Sequence, residues 1–206
     1  MSVIPFVFVG CLPHSLITKT PYPLLATAIG PFMLFRADTY RRFGGYEAVR
    51  SDIVDDVFIS REVKRAGGHI ALADGVSTLE VEFYQNFREA WNGLSKSAFA
   101  AFDYSLFKAL LALAACAIVF LGPYRFVYQA WESGLTDLAH FSLPLTQIVL
   151  IWIGMWLIDG RFAIPRRYAV LIGLTMCMAI LLCLNSIIGS LFRGGVVWKG
   201  RTYQFK

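Results

Sequence analysis

The sequence predicts an α/β polar half that leads through an amphipathic helix into a membrane domain of about three apolar helices. Three observations carry that expectation. Beyond residue 105 run three long apolar stretches, LFKALLALAACAIVFLGPY at 106–124, LPLTQIVLIWIGMWLI at 143–158 and YAVLIGLTMCMAILLCLNSIIGSLF at 168–192. The first hundred residues hold most of the acidic side chains and mix short helical and alternating patterns with glycine and proline breaks. Between these regions Phe87, Trp91, Leu94, Ala98 and Phe102 recur at spacings of three and four, the signature of a helix with one apolar face. The implied divisions are 1–85, 86–104 for the amphipathic helix, 105–192 for the membrane domain and 193–206 for a basic tail.

Taken in order, residues 1–35 carry Gly10, Pro13, Pro21, Pro23, Gly30 and Pro31 among apolar residues, which predicts short strands and loops against a core or a membrane surface. The opening MSVIPFVFVGCLPHS has no basic leader and is interrupted by Pro5 and Pro13, so it reads as domain interior rather than a cleavable signal. In RADTYRRFGGYEAV, Asp38 is placed to cap a short helix that the Gly44–Gly45 pair ends. A second helix is expected at about 55–66, with Asp55 and Asp56 at its start, Arg61, Lys64 and Arg65 toward its end, and Gly67–Gly68 closing it. Acids first and bases last suit the helix dipole. HIALADG predicts a strand and turn, and TLEVEF alternates Leu79, Val81 and Phe83 with Glu80 and Glu82, the period of a half-buried strand. The amphipathic helix that follows is expected either in the membrane interface or against the polar half.

A bilayer-spanning helix needs about 20 apolar residues. The third stretch meets that length alone, and the other two need flanking residues. A hydrophobic content of 57% and a mean hydropathy of +0.57 therefore reflect a localised apolar region rather than a large soluble core. The net charge of +5 has its source in Arg161, Arg166, Arg167, Arg193, Lys199, Arg201 and Lys206, all beside the apolar stretches. That placement fits an anionic lipid surface on the cytoplasmic side. It argues against nucleic acid, because no basic groove interleaved with aromatics occurs in the polar half. With the polar half cytoplasmic, the DGRFAIPRR loop returns inside, whereas the basic tail is carried outside unless the first stretch is interfacial or re-entrant. A transporter is disfavoured, since Asn185 is the single strongly polar residue inside the stretches and Asp159 stands at an end. Cys11, Cys116, Cys177 and Cys183 sit in apolar contexts without metal-ligand spacing, which predicts reduced structural thiols. His14, His69 and His140 share no ligand spacing, and Asp38, Asp52 and Asp74 suit caps and turns.

The adjacent Asp55 and Asp56 admit two readings. One caps the helix while the other offsets nearby bases, or a carboxylate held at the helix start serves as a general base for a bound hydroxyl. The run from ATAIGPFMLFRADTYRRFGG through DDVFISREVKRAGGHIALADG resembles the acceptor-side half of family 2 glycosyltransferases, in the membrane group related to ceramide, hopanoid and carotenoid glycosyltransferases. The matching positions are Gly30, Arg36, the Gly44–Gly45 pair and Asp55–Asp56 before KRAGG, with Asp55 standing where the family usually has Glu. Gln85, Arg88 and Trp91 resemble a Q-x-x-R-W signature with the tryptophan displaced, and VVWKGRTY resembles the family's end segment.

The resemblance implies a partial GT-A-like domain before the membrane helices and an inverting sugar transfer onto a lipid-type acceptor. Asp56 would be the catalytic base. Asp55, Gln85, Arg88, Trp91 and Lys96 would lie near the acceptor or the donor phosphates, with Gly30, Gly44 and Gly45 as structural glycines. Such enzymes hold a nucleotide-sugar with Mg or Mn through a D-x-D motif, and none occurs in the 206 residues. The expected consequence is a truncated, split or decayed form that binds no cofactor itself and has little or no transferase activity alone. Its expected partners are the lipid bilayer, a lipid-type acceptor and a separate donor-binding subunit. A non-catalytic membrane scaffold or remnant is the competing expectation.

Overall fold

Backbone N–H and C=O groups find no water inside a bilayer, so apolar chain there must satisfy itself as helix. The computed structural model describes residues 14–50, 54–135 and 137–192, together with the backbone of 196–198 and 201–203. Its longer elements are α1 (His14–Lys19), α2 (Ala37–Arg42), α3 (Asp55–Arg65), α4 (Phe87–Ala98), α5 (Leu106–Cys116), α6 (Gly122–Ser133), α7 (Leu143–Arg161) and α8 (Ile172–Phe192), followed by β1 (Val196–Trp198) and β2 (Arg201–Tyr203). The chain divides into two compact units, one ending at Ala90 and the other running from Trp91. Of the residues named from the sequence, Pro5, Gly10, Cys11, Pro13, Asp52, Arg193, Lys199 and Lys206 lie outside the described ones, as does the side chain of Arg201.

In the membrane unit, three helical stretches are long and apolar enough to cross a bilayer: Leu106–Ser133, Leu138–Arg161 and Arg166–Phe192. The first stretch is extended by the rest of α6 to Ser133 and the second by a π turn at Leu138–Ser142 before α7. Within the first span a π turn at Ala117–Leu121 joins α5 to α6, and a 3-10 turn at Arg166–Leu171 precedes α8. The chain is a membrane protein in this sense: most of the apolar surface of all three spans faces outward.

What the spans bury holds them to one another. Phe120 of the first, Met155 of the second and Ala169, Ile172 and Met176 of the third form one core cluster. Gln147 donates to the carbonyl of Val119 in the π turn at 3.1 Å, and the Trp152 indole donates to the Tyr124 hydroxyl at 3.0 Å. A second cluster joins Phe99, Ala109, Cys183 and Ile187. Polar contacts reinforce it, with Asn185 donating to Ser95 Oγ at 3.2 Å and the Phe99 N–H donating to Ser186 Oγ at 3.1 Å. Thus Asn185, the polar residue that stood out in the third stretch, is an intramolecular latch. Asp159 is a further polar group inside, fully buried, with neither carboxylate oxygen hydrogen-bonded.

In the polar unit, α3 supplies Ile59 and Val63 to a core completed by Phe43 and Val49, with Phe35, Tyr40 and Ile70 packed around it. The Gly67–Gly68 pair ends α3 in a Schellman arrangement. Gly67 has φ of +71°, its N–H donates to Lys64 O at 3.0 Å, and the Gly68 N–H donates to Val63 O at 2.8 Å. Asp38 does not cap α2; the N-cap is Arg36, and Asp38 lies in the first turn, 3.5 Å from the Arg36 guanidinium.

The α/β expectation is corrected. Among the described residues, strand occurs only in the antiparallel β1–β2 hairpin near the C-terminus, and residues 14–90 contain helices, turns and unpaired extended chain. No sheet underlies a GT-A-like domain there. The physical reason is visible in TLEVEF, where Leu79, Val81 and Phe83 are all exposed. Alternation stabilises a strand only where one face is covered and a neighbour accepts its hydrogen bonds, and here the apolar face meets no cover.

Candidate functional site

The N-terminus of α3 gathers the groups that the sequence singled out. Its N-cap, Val54, has no side-chain acceptor to offer, so the orphan N–H groups of the first turn must be met otherwise. The two aspartates meet them. The Asp56 N–H donates to Asp55 Oδ1 at 3.1 Å and the Val57 N–H to Asp56 Oδ1 at 2.8 Å. The second oxygen of Asp56 reaches across the fold and accepts the Gly30 N–H at 3.0 Å. A Cβ at position 30 would stand 3.2 Å from that oxygen, which explains why the position suits glycine.

Burial raises the Asp56 pKa above its ordinary value, the N–H groups of Val57 and Gly30 pull it back, and the neighbouring Asp55 charge pushes it up again. Tyr46 shares this neighbourhood. Its phenol is shifted upward by burial first, then by Asp55, Tyr40 and Asp56. Beside it, Gly44 and Gly45 both adopt positive φ, and the resulting turn wraps Tyr40 so closely that the Tyr46 N–H donates to the Tyr40 hydroxyl at 3.1 Å. The structure thus brings together Gly30, Asp55, Asp56 and Tyr46, with the Gly44–Gly45 turn holding Tyr40 against Tyr46. What these groups can do chemically is take up a proton and tie the 30s loop to α3.

The remaining candidates do not join them in a described contact. Arg88 is exposed and makes no ion pair among the described residues. Gln85 contributes its N–H to Glu89 Oε2 at 3.2 Å, within a capping arrangement at the start of α4. There the Glu89 N–H donates to Asn86 Oδ1 at 2.9 Å, and Asn86 Nδ2 returns a bond to Glu89 Oε1 at 3.1 Å. The sequence signal for it, Asn followed three residues later by Glu, was overlooked beside the Q-x-x-R pattern. Trp91 and Lys96 belong to the other compact unit, each half-buried on α4. The lone histidine with a clear partner in the polar unit, His14, donates from Nε2 to Leu72 O at 3.2 Å. Another group missed from sequence is Lys64, buried near the end of α3 with its ammonium 3.4 Å from Tyr22 O and its pKa lowered by burial.

Asp55 and Asp56 spend oxygens on backbone N–H groups, and among the described residues no three His, Cys, Asp or Glu side chains converge as ligands. The glycosyltransferase assignment, its enzyme class and the GT-A label are corrected by the same structure: a helical membrane bundle, and a polar unit whose described residues hold no sheet on which that site could be built. Comparison with known proteins adds no relative: no family model, no curated protein and no solved structure matches this chain.

Proposed function

We propose that this chain is a non-catalytic membrane scaffold whose polar unit docks a partner protein. The observation that carries the reading is the segment Tyr22–Leu34, where Tyr22, Leu24, Ile29, Phe32 and Leu34 are all exposed, Leu34 to 87% and Leu24 to 74%. Single exposed apolar residues are ordinary on protein surfaces, but a run of large ones on a polar unit is a mark of an interaction surface. The spans supply the anchor. Arg161, Arg166 and Arg167 beside the 162–165 link favour the cytoplasmic side for that link.

The test is photo-crosslinking in native membranes from a benzoylphenylalanine placed at Phe32. A discrete protein adduct that disappears with Leu24→Glu and Leu34→Glu, and persists with Asp56→Asn, is expected. Adducts to lipid alone, or a protein adduct indifferent to both glutamates, would overturn the scaffold reading.

A further inference from the structure

The link between the second and third spans has a construction that its charge alone does not require. The main-chain oxygen of Asp159 accepts the N–H groups of Phe162 at 3.2 Å and Ile164 at 2.9 Å, and Tyr168 N–H bonds back to Pro165 O at 3.0 Å. Ala163 takes a positive φ of 54° to make the turn. The link is therefore pinned to the last turn of α7.

On this platform the Arg166 guanidinium is seated against one face of α7. Its Cζ lies 4.0 Å from the centroid of the Trp156 ring, and it also lies close over Gly160, one turn further along the same helix. A Cβ at Gly160 would come within 2.7 Å of Nη2 and 2.9 Å of Cζ, so only glycine leaves room for that pose. Arg167 follows with its Cζ 5.4 Å from the Tyr168 ring. Arg161, Arg166 and Arg167 are exposed, whereas the one acid nearby, Asp159, is completely buried. The surface at this end of the bundle is cationic and carries no exposed carboxylate between 159 and 168.

We propose that Arg166 and Arg167, framed by Trp156 and Tyr168, form a binding site for the headgroup of an anionic phospholipid. The location follows from the spans themselves, since a link between two membrane helices lies at the bilayer surface, where tryptophan and tyrosine rings reside at headgroup level. The chemistry follows from the guanidinium, whose planar fork of donors matches a phosphodiester in two parallel bonds. Seating on Gly160 and Trp156 fixes the side chain beforehand, so ordering it on binding costs less than for a free arginine. A diffuse cationic surface would attract anionic lipid by charge alone and would be indifferent to how Arg166 is held. This inference rests on the membrane spans and is independent of the partner-docking surface of the polar unit.

The experiment is native mass spectrometry of the full chain released from phosphatidylcholine vesicles containing phosphatidylglycerol, counting retained phosphatidylglycerol. Wild type is expected to retain it in preference to phosphatidylcholine, and Arg166→Gln to weaken retention about tenfold or more. The deciding variants keep the charge: Gly160→Ala, which displaces the guanidinium, and Arg166→Lys, which removes the fork, are both expected to weaken retention as well. Retention unchanged in both, with wild-type helix content by circular dichroism, would overturn the site in favour of diffuse attraction. Displacement of the lipid by about 10 mM inorganic phosphate would overturn it in favour of a soluble phosphate ligand.

Discussion

Replacing Gly45 by alanine tests how the polar unit is held together, because two separable penalties meet at that residue. The first is conformational: φ is +63°, and an L-residue with a Cβ pays about 1–2 kcal/mol in the left-handed region. The second is steric. The new Cβ would lie 2.5 Å from Cε1 and 2.7 Å from Cζ of Tyr40, about 1 Å inside ordinary carbon contact. Tyr40 cannot retreat freely, since its ring packs at 5.6 Å from Phe35 and 5.4 Å from Phe43, and its hydroxyl accepts the Tyr46 N–H. Disturbing one aromatic pair and that bond costs about 2 kcal/mol more, for a total of about 3–4 kcal/mol. Gly67 provides the control, with φ of +71° and nothing within 4 Å of the added atom, so Gly67→Ala should cost only the conformational 1–2 kcal/mol or so. Urea-dependent pulse proteolysis of the chain in nanodiscs, read from cleavage within residues 14–90, gives both values. In a double-mutant cycle, Tyr40→Leu should recover about 2 kcal/mol of the Gly45→Ala loss. Equal losses at positions 45 and 67, or strict additivity with Tyr40→Leu, would refute the steric account.

Two further outcomes follow from buried carboxylates. Asp56 has a raised pKa in the folded chain, so between its ordinary value near 3.8 and its folded value the native state binds the extra proton. Its contribution favours folding on the acid side and is lost as pH rises through the folded pKa. Asp56→Asn should therefore flatten the stability profile of the polar unit in that window, and an Asn variant whose profile parallels wild type would contradict the assigned burial. Asp159 is fully buried with neither oxygen bonded, and an unsatisfied buried polar group costs about 1–3 kcal/mol. Asp159→Leu, with the same number and branching of side-chain heavy atoms but no polar oxygen, should raise thermal stability in detergent by up to about that amount, and a loss of comparable size would contradict the unsatisfied carboxylate.

The membrane half was legible in the sequence because it depends on one property. A helix in lipid needs only length and apolar side chains, so the three stretches identified themselves, and residues 125–133, 138–142 and 166–167 merely completed them. Helix α3 was legible for a similar reason, since its acid start, basic end and Gly67–Gly68 stop are local signals. The strands were misjudged because a strand is made by its neighbour. TLEVEF alternates correctly, yet no adjoining strand pairs with it among the described residues, and its apolar face is left exposed. The acidic pair was half legible: capping and catalysis call for the same residue at the same place, and only coordinates revealed that Asp55 and Asp56 serve the first turn of α3 and the Gly30 loop. Residues far apart in sequence, such as Lys64 with Tyr22 or Asn185 with Ser95, carried no local sign of their pairing.

The latch between α4 and the third span also imposes an order in time. Ser95 precedes Asn185 by 90 residues, and Phe99 precedes Ser186 by 87. A ribosome adding about 5–20 residues per second leaves that interval at roughly 5–20 s. Throughout it the Ser95 hydroxyl and the Phe99 amide have been made but the side chains that pair with them, Asn185 and Ser186, have not. This seam of the membrane unit therefore closes only after residues 185 and 186 are made, and any pause in translation before residue 185 extends the life of an intermediate with open polar groups at the seam. Cellular quality control that reads unsatisfied polar groups would have its window on this protein there.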